Sequence, residues 1–236
     1  MTLDEALSHL RAAGDPERAA GSAAYHKFER EYLGVAVPQI DEMADRWRAG
    51  VTLEERLTLA KGLWDSNVFE ARIAAAKLLV QARIRPDDEG AWRLIASWVP
   101  DFDCWALADH ASIAGQKRIV ADPRRLDEVE TWTTSPHMWT RSTALVMTLP
   151  WNRMRNPKPA DLERRERILG WAASYVDDRE WFIQKAIGWW LRELSKHDPD
   201  RTRAFIEAYG TRIKPFARRE ALRHLGEQSP PLAKPP

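Results

Sequence analysis

Residues 179–194 read REWFIQKAIGWWLREL. Trp181, Lys185, Trp189 and Arg192 recur at spacings of four, four and three, so a helix of about 3.6 residues per turn gathers them on one side. Phe182, Ala186 and Trp190 form a second, apolar side suited to a core. Gly188 sits in the interior of the same helix, where it costs about 1 kcal/mol relative to Ala. Its presence there predicts close approach by a neighbouring element.

The same period runs outward through the chain. Pro and Gly fall mostly between segments with helical spacing, and no window sustains period-two alternation between turn signals. Helices are predicted over 3–13, 16–31, 38–49, 53–65, 68–82, 88–99 and 104–114, then over 123–131, 138–148, 160–175, 179–196, 199–209 and 214–225. Thirteen helices with short links suggest stacked pairs advancing roughly 40 residues per repeat, the spacing of HEAT or armadillo solenoids. A compact bundle is the alternative, but it does not by itself explain many short, similar helices in sequence order. One domain is expected over 1–226. The Pro-rich end, 227–236, reads as a disordered tail, and the basic stretch 151–160 as an exposed loop.

Composition narrows the possibilities. Cys104 is the only cysteine of the 236 residues, which rules out an internal disulfide and any zinc site of the multi-cysteine kind; no metal or cofactor is expected. The N-terminus, MTLDEALSHL, is acidic rather than a basic leader ahead of an apolar run, and no uncharged apolar stretch approaches spanning length. A soluble, cytoplasmic protein without a membrane partner is expected, in a bacterium acting at the nucleoid. The net charge of +1 hides an asymmetry: residues 1–140 hold 17 basic and 23 acidic side chains, the remainder 19 and 12. The C-terminal part therefore carries +7, a balance suited to a polyanion or to a solvated helical surface. Twelve Trp against four Tyr exceed what a core of this size needs.

Two further segments carry chemistry. In FDCWALADHAS (102–112), Trp105 and Asp109 stand at i and i+4, where an indole face and a carboxylate can cradle a cation; a half-buried Trp beside a solvated Asp is the plainer alternative. In SPHMWTRSTALVMTLP (135–150), Arg141 lies in the first turns of an otherwise apolar helix, with Ser135 or Thr134 available as cap. A guanidinium there suits bidentate phosphate contact, or else a surface ion pair.

FIQKAIGWWLREL closely resembles the signature helix of the AlkD-like alkylpurine DNA glycosylases, and other matches occur in order: YHKFEREYLGVAVP (25–38), LWDSNVFEARIAAAKLL (63–79) and ARREALRHL (217–225). The resemblance implies an all-α fold, a curved right-handed solenoid of HEAT-like helical repeats, and hydrolysis of the N-glycosidic bond of cationic N3- or N7-alkylated purines in duplex DNA. On the family's pattern Trp105 and Trp189 match the two aromatic residues that cradle the sugar, Asp109 the essential carboxylate and Arg141 the phosphate-contacting arginine. Tyr25 matches a tyrosine near the lesion. Lys185, Arg192 and, on the closing basic helix, Arg218 and Arg219 are further expected DNA contacts. Ala106 and Ile40 depart from an Asp and an Arg common in the family. The resemblance also implies a lesion left stacked rather than flipped, and a monomer acting in base excision repair. Two other roles remain open: self-resistance by excision of bulky natural-product adducts, and a non-catalytic module that binds DNA or protein.

Overall fold

The computed structural model describes residues 1–225; the predicted tail, 227–236, lies outside them. The protein is all-α, with thirteen α-helices among the described residues. They fall into two compact units, residues 1–129 and residues from 130 onward. The first holds α1 (Leu3–Ala12), α2 (Pro16–His26), α3 (Val37–Ala49), α4 (Leu53–Asp65), α5 (Phe69–Lys77), α6 (Glu89–Trp98) and α7 (Trp105–Ala121). α8 (Leu126–Thr131) runs across the division, and the second unit continues with α9 (Met138–Met147), α10 (Pro159–Ser174), α11 (Trp181–Ser195), α12 (Pro199–Tyr209) and α13 (Pro215–Leu222).

Local chemistry sets many of the starts. Thr2 with Glu5 and Thr52 with Glu55 form reciprocal capping boxes, and Asp15 and Asp198 cap helices that open with Pro16 and Pro199. Each satisfies backbone N–H groups that a helix start leaves without partners. Packing then follows the helical-repeat logic of nearest and next-nearest neighbours. α5 packs on α3, α4 and α7 in the first unit, and α11 on α9, α12 and α13 in the second.

Tryptophan dominates the core. Trp64 stacks on Trp98 at 4.5 Å, and Trp47, Trp92, Trp151, Trp171 and Trp190 are also buried. The buried indoles of Trp92 and Trp171 donate to Glu128 (2.9 Å) and Glu130 (2.7 Å), the partners such N–H groups need once removed from water.

Several predicted spans are corrected, and that over 104–114 runs on to Ala121. The helix predicted over 16–31 stops at His26, because Lys27 turns left-handed (φ 61°). The connector that follows is tied back by Glu70, which accepts from Leu33 N and Gly34 N at 2.8 and 2.7 Å. Gly34 has φ +75°, and a Cβ there would fall 2.1 Å from the Asp15 carbonyl oxygen, so only glycine fits. The helix predicted over 68–82 ends at Lys77. The residues beyond it are held by Arg118, which donates to the Gln81 and Ala82 carbonyls and pairs with Asp88 at 2.9 Å. The stretch 151–160 is a loop only in its middle: Trp151 and Asn152 are buried in a short 3-10 turn, and Asn152 donates to the Trp190 carbonyl at 2.8 Å.

Candidate active site

In the first unit the candidate residues gather at the start of α7. Cys104 is the N-cap and Trp105 the first helical residue, so the indole stands at the helix mouth with Asp109 one turn further along. Both side chains are half-buried. Tyr25, at the end of α2, meets Trp105 edge-on at 6.4 Å, and His26 lies 6.0 Å from the same ring. The early stop of α2 is what puts these rings there. An open cleft of about 510 Å³ runs beside them, lined by Asp15, Glu17, Arg18, Gly21, Ser22, Tyr25, His26 and Trp105.

Beneath this wall Arg30, with a side chain only 4% exposed, pairs with Asp103. The pair ties the connector after α2 to the residue two positions before Trp105. It spans 73 residues of sequence, and neither His26 nor this clamp was among the residues expected at the site. His26 is held below the usual imidazole range, first by burial and then by the Arg30 charge. Burial likewise raises the Cys104 thiol. His110 follows Asp109 about 100° further round α7 and feels the charges of Lys77 and Asp41, which pair with each other at 2.7 Å. Burial first, and the Lys77 charge second, lower it to about 4, against a smaller opposing effect of Asp41. Ile40 and Ala106, the two departures from the family pattern, are both buried, so a charged side chain at either would enter the core.

The second unit carries the remaining residues. α9 begins after His137, not after Ser135 or Thr134, and the Ser135 hydroxyl accepts from His137 N at 3.2 Å. Arg141 therefore lies one turn in, half-buried and already engaged. Nε and Nη2 donate to one oxygen of Asp178 at 3.2 and 2.9 Å, and Nη1 to the Ser135 and Pro136 carbonyls at 2.8 and 3.0 Å. On α11, Lys185, Trp189 and Arg192 share one side as their spacing predicts; all three are half-buried, and Arg192 pairs with Glu220 and Glu193. Arg218 and Arg219 are exposed on α13. The close approach expected at Gly188 is the backbone of α13: a Cβ there would stand 3.0 Å from both the Cα and the carbonyl oxygen of Ala217.

Among the described residues no helix is long and apolar enough to cross a membrane, and no cluster of His, Cys, Asp and Glu could hold a metal ion. The class defined is an all-α, helical-repeat protein with aromatic, acidic and basic side chains on half-open helix faces. The sequence profile of the DNA alkylation repair enzyme family matches residues 6–225, and the chain belongs to that family. Membership assigns it a role in DNA alkylation repair, with DNA as partner. No curated protein sequence matches the chain. Among solved structures it is similar to a predicted DNA alkylation repair enzyme from Enterococcus faecalis, with 22% identity, 91% of this chain and 97% of the other covered, and a TM-score of 0.76. It is also similar to AlkD2 from Streptococcus mutans, with 16% identity, 94% and 99% covered, and a TM-score of 0.65.

Proposed function

We propose that the protein is a monofunctional DNA glycosylase that hydrolyses the N-glycosidic bond of cationic N3- or N7-alkylated purines in duplex DNA. The observation that carries this reading is the Trp105–Asp109 pair, an indole and a carboxylate one turn apart at the start of α7, with the indole flanked by Tyr25 and His26.

Alkylation places a positive charge on the purine, so breaking the C1′–N bond returns its electron pair to a base that leaves neutral. The positive charge passes to the sugar as an oxocarbenium ion, and no acid is needed for the leaving group. The protein has to supply negative electrostatics beside the sugar and a base for the attacking water. Asp109 does both: its charge opposes the developing cation, and it takes the proton as the water oxygen bonds to C1′. The Trp105 face adds cation–π stabilisation, and Trp189 is assigned a similar aromatic role by its match to the family pattern. Arg141, Lys185, Arg192, Arg218 and Arg219 act on phosphates, the sequence-independent part of DNA affinity.

The test is release of free base, read by chromatography, from methylated and from bulky-adducted duplex DNA in the presence of a chelator. Release of 3-methyladenine or 7-methylguanine is expected. Failure with every adduct would reduce the protein to a DNA-binding module.

A further inference from the structure

Trp181 opens α11 with half of its surface in solvent, the one tryptophan among the exposed large apolar side chains of the described residues. A single exposed apolar residue is ordinary; its surroundings are not. Phe216 lies nearly parallel to the indole, at 5.5 Å and 20°. Phe182 meets it edge-on at 4.8 Å and is itself packed against Trp139 at 4.4 Å. The Lys185 ammonium stands 5.5 Å from the Trp181 ring centre and 5.6 Å from that of Phe182. The ring is thus held by aromatic neighbours before any ligand arrives, and little conformational entropy is left to lose on binding.

We propose that Trp181 is the floor of a binding site for an unpaired nucleobase of DNA. A paired, stacked base shows only its edges in the grooves, whereas a base released from its pair offers a π-face, and an exposed indole is the side chain best matched to it. The charges nearby fit the rest of the nucleotide. The Lys185 Nζ lies over the Trp181 ring, 5.5 Å from its centre, and α13, which supplies Phe216, carries exposed Arg219 three residues further on, on the same side of the helix. An aromatic platform bordered by cations is the arrangement by which proteins hold single-stranded nucleic acid without reading its sequence. The site would give an alkylation repair protein a grip on DNA whose pairing is disturbed. It rests on DNA being the partner and not on the glycosylase chemistry.

The test uses undamaged, uncleavable oligonucleotides, so its outcome is separate from whether the chain excises any base. Affinity of the full chain is measured by fluorescence anisotropy for a paired duplex and for the same duplex with a one-nucleotide bulge. The wild type is expected to prefer the bulged duplex. Trp181→Ala is expected to weaken bulge binding about tenfold, in line with about 1–3 kcal/mol per stacked base, and to leave the paired duplex within about twofold; Trp181→Phe should restore most of the loss. The proposal is overturned by equal loss on both DNAs, by no preference in the wild type, or by self-association of the protein that Trp181→Ala abolishes, which would make the ring a protein contact.

Discussion

Arg141 and Asp178 are locked together across 37 residues, with Nε and Nη2 of the arginine on one carboxylate oxygen while the other oxygen accepts from Glu180 N at 2.9 Å, just before α11. With Nη1 on two carbonyls, four of the five guanidinium N–H groups are engaged. A phosphate that takes a bidentate grip on Arg141 must displace Asp178. Arg141→Ala is therefore expected to weaken binding to damaged and undamaged duplex alike and to reduce the salt slope of log K by about one unit. Asp178→Asn keeps an oxygen for Glu180 N but removes the competing charge, and should tighten binding several-fold at low salt. Weaker binding by Asp178→Asn would show that the carboxylate holds the arginine in place instead of competing with DNA.

Asp109 is assigned to the transition state, so Asp109→Asn should leave DNA affinity near wild type while slowing single-turnover base release at least about tenfold. Size is preserved and charge is lost. Wild-type excision by a variant with an unchanged circular dichroism spectrum would remove Asp109 from the mechanism.

What the sequence made legible was local. The spans predicted at 53–65 and 199–209 coincide with α4 and α12, because Thr52, Asp198 and Pro199 are start signals readable within one turn. The Trp105–Asp109 and Lys185–Trp189 pairs needed only helical spacing. What escaped was set by tertiary contacts. No Gly or Pro marks the end of α2, since Lys27 turns left-handed in a connector whose backbone is satisfied by Glu70. The Arg30–Asp103 clamp and the hold of Asp178 on Arg141 join residues too far apart in sequence for spacing to reveal.

Gly188 gives a test of packing. Alanine is the better helix former by about 1 kcal/mol, yet its Cβ would press 3.0 Å from backbone atoms of Ala217, which cannot rotate away. Overpacking of this kind costs about 1–3 kcal/mol. Gly188→Ala should lower the melting temperature by a few degrees; a rise would show that α13 yields freely.

His110 contributes a pH dependence whose sign follows from its environment. Its folded value of about 4 lies below the ordinary 6.5, so the folded chain prefers the neutral ring. Its contribution is fully present above pH 6.5 and is lost as pH falls toward 4. Thermal melts of wild type and His110→Gln should therefore diverge across that window, the wild type falling more steeply. Parallel curves would mean that the ring titrates normally.

The last expectation concerns the leaving group. A neutral lesion such as uracil or 1,N6-ethenoadenine keeps the electron demand on the base, and its departure calls for a proton donor or another means of stabilising the anion. The imidazole nearest Trp105, His26, is depressed by burial and by Arg30, which disfavours the cationic form that could donate. His110, next to Asp109 in sequence, is lowered to about 4 by burial and the Lys77 charge, which disfavours its cationic form too. Excision should thus be confined to bases that already carry positive charge, with release of 7-methylguanine but none of uracil from otherwise identical duplexes. His26→Ala and His110→Ala should each leave methylpurine release within about threefold, a change of under about 1 kcal/mol in barrier. Efficient release of uracil, abolished by either substitution, would replace the acid-free mechanism with general-acid catalysis by that histidine.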